Sequence, residues 1–387
     1  MDIIPYSRQS INEDDIAAVE AVLRSDWLTQ GPTVERFESA VADYIGVEFA
    51  CAVSSATAAL HLACRALGLG AGDVLWTVPN TFVASSNAAL YCGAEVDFVD
   101  IDSVTYNLSV PALTEKLVRA ERNERLPKVV MPVHFGGQSC DMREIALLAR
   151  RYGFRIVEDA SHAIGADYLG RKVGACEYSD FSVFSFHPVK IITAGEGGML
   201  MTKDPALHRT VMLLRSHGIT RDAVAMDRAP EGAWYYQQVD LGFNYRITDL
   251  QAALALSQIK RIDAFVERRR AIAGRYDDEL AALPVALPGR STAARSAWHL
   301  YVVQIDVLRC GKTRKEVFDA LRAAGIQVNV HYIPVHLQPY YRRFGFGPGQ
   351  FPVAEHYYAQ AISLPVYADL TDMQQTRVIV EVASVLR

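Results

Sequence analysis

Short apolar segments alternate along the chain with segments of helical periodicity. Segments 49–53 and 129–133 are short and nearly all apolar, which is typical of strands buried on both faces of a sheet. In between, apolar residues recur every three or four positions, as in 110–122 and 142–152. This alternation predicts βαβ units and an α/β fold with a large, mostly parallel sheet. The predicted strands are 49–53, 74–78, 96–99, 129–133, 155–157, 181–184 and 198–201, and the helices among them are 56–67, 82–92, 110–122 and 142–152.

The length of 387 residues is typical of about two domains. A helix at 248–262 is followed by a long charged helix at 263–283, and after Pro284 the alternation resumes on a smaller scale. We therefore expect a large domain at 1–262 and a smaller C-terminal α/β domain at 263–387. The elements predicted for the smaller domain are strands 299–305 and 328–330, helices 313–324 and 372–386, and an aromatic, Gly/Pro-rich loop at 338–352 that is either structural or ligand-binding.

Composition argues against several classes of protein. The net charge is −5, without a basic tail, so binding to nucleic-acid phosphates is not expected. Residues 1–6 lack the features of a secretory signal, and no apolar run reaches the roughly 18 residues of a membrane span. The six cysteines are scattered, without a Cys-x-x-Cys pair, and are expected to be free thiols in a reducing cytoplasm.

Common ligand motifs are missing or misplaced. The glycines of 68–72 (GLGAG) follow a predicted helix and precede a strand, the reverse of the order in a dinucleotide fingerprint. The chain has no Gly-x-x-x-x-Gly-Lys-Ser/Thr sequence. His331 and His336 are separated by Pro334 and have no evident third ligand, so no metal is expected.

Chemistry-bearing residues follow two predicted strands. Asp159 comes at the end of one apolar strand, and the next strand leads into a turn with Ser185, His187 and Lys190. Residues 195–198 (GEGG) then supply flexible backbone. Because ligands bind at the carboxyl ends of parallel strands, we expect these side chains to share one site.

This set of groups meets the needs of pyridoxal 5′-phosphate (PLP). A neutral lysine forms a Schiff base with the aldehyde, and an acid pairs with the protonated ring nitrogen. Residues 54–57 (SSAT) lie after a strand at a helix start, where hydroxyls, amides and the helix dipole favour a phosphate. Each feature alone is more typical of a turn, a cap or a solvated lysine, and it is their order along the chain that points to the cofactor.

In that order the motifs resemble the DegT/StrS family of sugar aminotransferases, and the resemblance covers nearly the whole chain. The segments that carry it are 158–163 (EDASHA), 185–190 (SFHPVK), 195–198 (GEGG), 215–218 (RSHG) and 241–249 (LGFNYRITD). The implied fold is the aspartate-aminotransferase type, fold type I. The implied assembly is a homodimer with active sites at the subunit interface.

The resemblance also implies roles at the cofactor. Lys190 is the Schiff-base lysine, Asp159 holds the pyridinium, and His162 faces the 3-oxygen of the ring. Phe82 fits the aromatic residue that stacks on the ring, although from the residues alone it is equally a core side chain at a helix start. In the family the strand before this residue more often holds a smaller β-branched residue where this chain has Trp76, which concerns local packing.

The phosphate, by the same resemblance, is held by the Ser185 and Thr57 hydroxyls and the amide of Ala56. Asn244 is expected to reach the phosphate in the site of the other subunit.

The ends of the chain resemble one subgroup, the transaminases of pseudaminic acid biosynthesis. The marker segments are 6–11 (YSRQSI), 25–32 (SDWLTQGP), 132–138 (PVHFGGQ), 330–334 (VHYIP) and 338–343 (QPYYRR). On this basis Tyr6, Thr29, His331 and Tyr332 are expected to bind substrate.

The implied activity is amino transfer from L-glutamate to C4 of a UDP-linked 4-keto-6-deoxy-N-acetylated hexose. An alternative is amino transfer to another nucleotide-linked 4-keto-6-deoxy sugar. A PLP-dependent sugar dehydratase of the same fold is disfavoured because such enzymes carry His where Lys190 stands. A non-catalytic sensor of this fold is disfavoured by the intact Lys190, Asp159 and Ser185.

Overall fold

The computed structural model describes residues 2–387 as alternating helices and strands. The helices are α1 (Glu13–Leu23), α2 (Pro32–Ile45), α3 (Ala56–Ala66), α4 (Val83–Tyr91), α5 (Val110–Arg122), α6 (Met142–Tyr152), α7 (Pro205–Arg215), α8 (Asp249–Ile259), α9 (Ile262–Leu280), α10 (Val307–Cys310), α11 (Arg314–Ala323), α12 (Pro339–Arg342), α13 (Pro352–Gln360) and α14 (Asp372–Leu386). The strands are β1 (Ile4–Pro5), β2 (Phe49–Val53), β3 (Val74–Thr77), β4 (Glu95–Phe98), β5 (Val129–Val130), β6 (Arg155–Asp159), β7 (Asp167–Tyr168), β8 (Arg171–Lys172), β9 (Phe181–Ser185), β10 (Gly198–Thr202), β11 (Ile219–Thr220), β12 (Gln237–Gln238), β13 (Val285–Ala286), β14 (Ala294–Arg295), β15 (Tyr301–Ile305), β16 (Ile326–Gln327) and β17 (Ala361–Leu364).

A seven-stranded sheet forms the centre of the molecule, in the order β2-β10-β9-β6-β5-β3-β4. The pairs β9/β6, β6/β5, β5/β3 and β3/β4 are parallel, whereas β10 runs antiparallel to both of its neighbours. The helical crossovers between parallel strands bring their carboxyl ends to one edge. The expected α/β fold with a large, mostly parallel sheet is confirmed.

Helices cover both faces of this sheet. In β10, Met199 and Met201 point into a core with α2 and α8, while Leu200 points into the opposite core against α3. This alternation follows from the two-residue period of a strand, and burial on both faces explains the continuous apolar sequences.

The C-terminal part has its own core around the three-stranded sheet β13-β15-β17. α9 links the two parts, because Phe265 near its start packs with the large sheet while Tyr276 near its end packs in the C-terminal core. β1, at the start of the chain, pairs in parallel with β16 of the C-terminal part. Contacts therefore cross the boundary at 262, and the division into domains stays a prediction.

The prediction of elements was least accurate in the C-terminal part. The strand expected at 328–330 lies earlier, as β16, and the loop expected at 338–352 includes the short helix α12. α13 and β17 were not predicted. β17 is only four residues long and buried throughout, so it shows no polar alternation that could mark a strand. Within the described residues, no helix has the length and hydropathy needed to cross a membrane.

Candidate active site

The carboxyl edge of the sheet brings together three chain segments that are distant in sequence. β6 ends at Asp159, β9 ends at Ser185, and β2 ends just before the first residues of α3. Gly198, at the start of β10, lies opposite both Val53 of β2 and Ser185 of β9. A Cβ atom at position 198 would stand 2.4 Å from the carbonyl carbon of Ser55, so only glycine lets the start of α3 lie this close.

A cavity of about 480 Å³ lies at this edge. Ten of the predicted site residues line it, namely Tyr6, Ala56, Thr57, Phe82, Asp159, His162, Ser185, Lys190, His331 and Tyr332. The molecule also has a larger surface cleft of about 710 Å³ around Arg215. There the Arg215 guanidinium is used structurally, since it bonds to Glu38 and donates to the carbonyl of Ala52 at 2.7 Å.

Two predicted residues lie outside this cavity. Thr29 is exposed and forms an isolated bridge with Thr248. Asn244 is also exposed, in a segment that bridges Ser216. Neither reaches the pocket of its own chain, and their expected roles stay predictions.

The Asp159 carboxylate is buried and held by two hydrogen bonds. The Ser85 hydroxyl donates to Oδ2 at 2.6 Å, and the amide of Ser161 donates to Oδ1 at 3.1 Å. Thr81 in turn lies 2.8 Å from Ser85, oxygen to oxygen. These contacts fix the orientation of the carboxylate.

Lys190 lies in the turn after β9 and points into the cavity. Its amide donates to the carbonyl of His187 at 2.9 Å, and the preceding carbonyl, of Val189, accepts from the Ser7 hydroxyl at 2.9 Å. Desolvation lowers the pKa of the Lys190 amine to about 8, and the negative charge of Asp159 partly opposes that shift. An ammonium group that gives up its proton this readily supplies a neutral nucleophile near neutral pH.

The first turn of α3 presents groups suited to an anion. Ser55 caps this helix by accepting a hydrogen bond from the amide of Ala58 at 3.2 Å. The amides of Ala56 and Thr57 precede the first intrahelical bonds and lie at the positive end of the helix dipole. Both residues line the cavity, as does Ser185, whose hydroxyl adds to that of Thr57.

Two further ring-bearing residues, Phe82 and His162, line the cavity. Phe82 precedes α4, and its side chain is 60% exposed although it is aromatic. His162 is buried, with Nδ1 accepting from the amide of Gly136 at 3.3 Å and Nε2 lying 3.2 Å from the Tyr332 hydroxyl. Desolvation first, then the charges of Lys190 and His331, lower the pKa of His162 well below its usual value, so its ring is neutral.

Next to His162, the cavity is lined by a group of four residues: Tyr6, His299, His331 and Tyr332. His331 Nδ1 lies 2.7 Å from the Ser363 hydroxyl, and the ring of Tyr6 packs against it with centroids 5.4 Å apart. Desolvation, reinforced by Lys190, lowers the pKa of His331 to about 3.

Several residues of the cavity were not identified from the sequence. Ser85 lies three residues after Phe82, one helical turn along, but the carboxylate that it contacts comes from a distant segment. His299 packs against His162 with ring centroids 4.4 Å apart, but it precedes a distant strand and carries no local signal. His187, which follows β9 in the same turn as Lys190, is exposed and lines the cavity, and so does Glu196, which has no predicted role.

These groups fit PLP. A low-pKa lysine amine and a hydrogen-bonded carboxylate share the cavity. The start of α3, which packs so closely on Gly198 that no other residue fits there, offers amides and hydroxyls to a phosphate. Within residues 2–387 no cluster of three or more His, Cys, Asp or Glu side chains could hold a metal ion. The fold and this donor set define the class: a PLP-dependent enzyme of fold type I.

Comparison with known proteins identifies the family. The model of the DegT/DnrJ/EryC1/StrS aminotransferase family matches residues 9–383, and the chain belongs to that family. It is 40% identical over 388 residues to the spore coat polysaccharide biosynthesis protein SpsC of Bacillus subtilis, covering 99% of this chain and 97% of SpsC.

Solved structures give the same result. PseC of Helicobacter pylori, an aminotransferase of pseudaminic acid biosynthesis, superposes with a TM-score of 0.90 at 31% identity, over 100% of this chain and 99% of PseC. A putative sugar aminotransferase of Streptococcus pneumoniae in its PLP form gives 0.88 at 29% identity, over 99% and 98% of the two chains. The protein is a PLP-dependent sugar aminotransferase, as the motifs predicted.

Proposed function

We propose that this enzyme transfers the amino group of L-glutamate to C4 of a UDP-linked 4-keto sugar, UDP-2-acetamido-2,6-dideoxy-β-L-arabino-hexos-4-ulose. The observation that carries amino transfer is the pairing of the Lys190 amine and the Asp159 carboxylate in one cavity. The choice of sugar rests on the likeness to PseC over the full chain and on the marker segments around Tyr6 and His331.

At the cofactor end, each residue has a distinct task. When bound, PLP supplies an electron sink for the carbon that loses or gains a proton. Lys190 holds the aldehyde and, once free, moves the proton at the reacting carbon, for which its lowered pKa suits it. Asp159, oriented by Ser85, keeps the ring nitrogen protonated.

The remaining cofactor residues act as holders. His162 stays neutral, so it serves the ring's 3-oxygen as a hydrogen-bond partner without competing with Lys190 for a proton. Phe82 offers an exposed aromatic face for stacking. The Ala56 amide and the Thr57 and Ser185 hydroxyls bind the phosphate.

The sugar end is formed by Tyr6, His331 and Tyr332. Aromatic faces and neutral donors of this kind recognise a hexose through stacking and hydrogen bonds. Thr29 and Asn244 act across a homodimer interface in this proposal: each is exposed on its own chain, and Asn244 reaches the phosphate in the other subunit's site. A cytoplasmic location is part of the same proposal, and the free thiols support it because a reducing compartment keeps cysteines reduced.

The test separates the two half-reactions. The purified holoenzyme is first mixed with L-glutamate alone, and L-glutamine, L-aspartate and L-alanine serve as controls. We expect the visible absorption of bound PLP to bleach with L-glutamate and to return when the sugar is added. If another donor bleaches the cofactor faster than L-glutamate, the donor assignment is wrong.

The sugar is assigned by a panel of UDP-, GDP- and dTDP-linked 4-keto-6-deoxy sugars offered to the amino-loaded enzyme. We expect the UDP-linked N-acetylated sugar to give the highest kcat/KM and a product with nitrogen at C4. A higher kcat/KM with another sugar of the panel would mean that the alternative, another nucleotide-linked 4-keto-6-deoxy sugar, is the substrate. The 40% identity to SpsC, a polysaccharide biosynthesis protein, is the reason to include that alternative.

A further inference from the structure

A fully buried arginine lies on α9, the helix that links the two parts of the chain. Arg269 is 1% exposed, and within residues 2–387 no acidic side chain pairs with it. Burial lowers the pKa of its guanidinium to about 10, so the side chain is still charged at pH 7. Because an unpaired buried charge costs free energy, the groups that this guanidinium holds are of interest.

The guanidinium holds two backbone segments that come from different parts of the sequence. Its Nη1 donates to the carbonyl of Val366 at 2.8 Å and, over 3.3 and 3.4 Å, to those of Trp298 and His299. Residues 298–299 precede β15, and Val366 follows β17. One side chain of α9 therefore fixes the start of one strand and the end of its neighbour.

Both segments are connected to residues of the cavity. The amide of Val366 donates to the carbonyl of Tyr6 at 3.0 Å. Three residues earlier, the Ser363 hydroxyl lies 2.7 Å from Nδ1 of His331. His299, whose carbonyl accepts from Arg269, lines the cavity itself. Arg269 does not line the cavity, but one or two contacts connect it to three residues that do.

Tyr276 supports the same segment. It lies seven residues after Arg269, about two turns along and on the same face of α9. Its hydroxyl donates to the carbonyl of Pro365 at 2.9 Å, so α9 holds residues 365 and 366 at adjacent carbonyls.

The cofactor end has no such connection to α9. The Asp159 carboxylate accepts from the Ser85 hydroxyl and the Ser161 amide, and the Ser185 hydroxyl accepts from the amide of His187. These partners lie in the part of the chain before residue 262, close to the large sheet.

We propose that Arg269 is a positioning residue for the sugar half-reaction, which holds Tyr6, His299 and His331 in place through the two backbone segments. This inference rests on the proposed sugar end of the cavity. It goes beyond that proposal because it assigns the buried guanidinium a task that affects one half-reaction and spares the other.

The experiment compares the two half-reactions in Arg269→Met, which has a side chain of similar length without charge or donors. The sugar offered is the one with the highest kcat/KM in the panel described above. We expect the reaction of the amino-loaded enzyme with that sugar to slow by roughly ten- to hundredfold, and the bleaching of bound PLP by L-glutamate to change less than about threefold. Equal losses in both half-reactions, or an unchanged sugar half-reaction, would overturn the proposal.

Two further variants of α9 serve as conservative replacement and control. Arg269→Lys keeps the charge and a donor nitrogen, and it should recover part of the lost sugar half-reaction. Arg275 lies on the same helix but donates to the Asp372 carbonyl and the Thr376 hydroxyl of α14, so Arg275→Lys should match the wild type. A loss of the sugar half-reaction in Arg275→Lys as large as in Arg269→Met would contradict a specific role of Arg269.

Tyr276→Phe provides the test if Arg269→Met does not fold. It keeps the buried ring and removes only the hydroxyl that holds residue 365, so we expect the sugar half-reaction to slow by about fivefold with the glutamate half-reaction unchanged. In that case, an unchanged sugar half-reaction in Tyr276→Phe would overturn the proposal.

A double-mutant cycle with Tyr6→Ala separates this inference from the proposed function. If Arg269 acts through Tyr6, the double variant should lose less than the product of the two single losses, whereas independent losses would contradict positioning. If Tyr6→Ala slows the sugar half-reaction and Arg269→Met does not, the positioning role is wrong and the sugar end stands. If Tyr6→Ala leaves that half-reaction unchanged, the sugar end is wrongly assigned, and the role of Arg269 fails with it.

Discussion

The two ends of the cavity are built from different kinds of structure. At the cofactor end, Asp159, Ser185 and the start of α3 are placed by strand ends of one sheet, and their positions follow from backbone register. At the sugar end, His299, His331 and Tyr332 lie on irregular segments held by side-chain contacts, such as His331 to Ser363 and Tyr332 to His162. In the proposed mechanism, the residues that hold the cofactor thus lie at sheet strand ends, and the residues that bind the sugar lie on irregular segments.

Lys190→Ala should have the largest effect, because it removes the amine at the cofactor end. We expect loss of the visible absorption of covalently bound PLP and loss of transamination in both half-reactions. Lys203→Ala is the control, since this exposed lysine pairs with Glu177 on the surface. Turnover near the wild-type rate in Lys190→Ala would remove Lys190 from the chemistry.

Asp159→Asn should come next. It removes the charge that is proposed to keep the cofactor ring protonated, and we expect kcat/KM to fall by roughly 10²–10⁴. PLP should still bind, because the phosphate groups are unchanged. Asp204→Asn is the control, since asparagine caps a helix start as aspartate does at α7. Unchanged kinetics in Asp159→Asn would mean that another acid serves the ring.

The third prediction tests whether the cofactor end is completed by a second subunit. Lys190→Ala and Asn244→Asp are each expected to be inactive. In a mixed dimer, however, one of the two sites carries neither change, so mixing should restore up to about a quarter of wild-type activity. Subunit exchange is verified separately by labelled chains. No rescue in spite of exchange would contradict a shared site.

His331→Ala probes the sugar end. We expect KM for the nucleotide sugar to rise about tenfold, the cost of one lost hydrogen bond, with the glutamate half-reaction nearly unchanged. Single-turnover spectroscopy of each half-reaction measures the split. His356→Ala, exposed on α13, is the control. Equal damage to both halves would show that His331 serves the cofactor or the fold.

The smallest expected effect is on the pH dependence of the free energy of unfolding. Burial lowers the pKa of His299 in the folded state well below its usual value, so on acidification the unfolded chain binds a proton that the folded chain does not. The free energy of unfolding should then fall as pH drops below about 6.5, by up to about 1.4 kcal/mol per pH unit for this residue. Urea unfolding of wild type and His299→Gln between pH 5 and 7 measures the difference in slope. Equal slopes would mean that His299 is already charged when folded.

His134 has the opposite effect on the pH dependence of the free energy of unfolding, and it serves as an internal reference. Contacts with Cys140 and then with Glu158, whose Oε2 lies 2.7 Å from the His134 Nε2, raise the pKa of His134 to about 10 in spite of burial. Its contribution to stability is complete below about pH 6.5 and is lost as pH rises toward 10. Burial lowers the histidine pKa in both places, but at His134 the contacts with Cys140 and Glu158 outweigh it.

Helix prediction succeeded where local signals were complete. α5 and α6 have the predicted bounds, because each has a strong apolar stripe, and α5 also has Ser109 as a cap and Pro at its start. α13, β17 and the early position of β16 were missed, because these elements are short and are stabilised by contacts with distant parts of the chain.

For the site, the same distinction applies. Asp159 and Lys190 could be found from the sequence because a polar group after an apolar strand must emerge at the sheet edge, whatever the rest of the chain does. Ser85, Gly198 and His299 could not be assigned, since their roles depend on a carboxylate, a helix start and an imidazole that come from other segments. Local periodicity and strand order thus settle which chemistry is brought to the edge. The close packing of remote segments settles how each group is oriented and how readily it ionises, because distance and desolvation exist only in the folded chain.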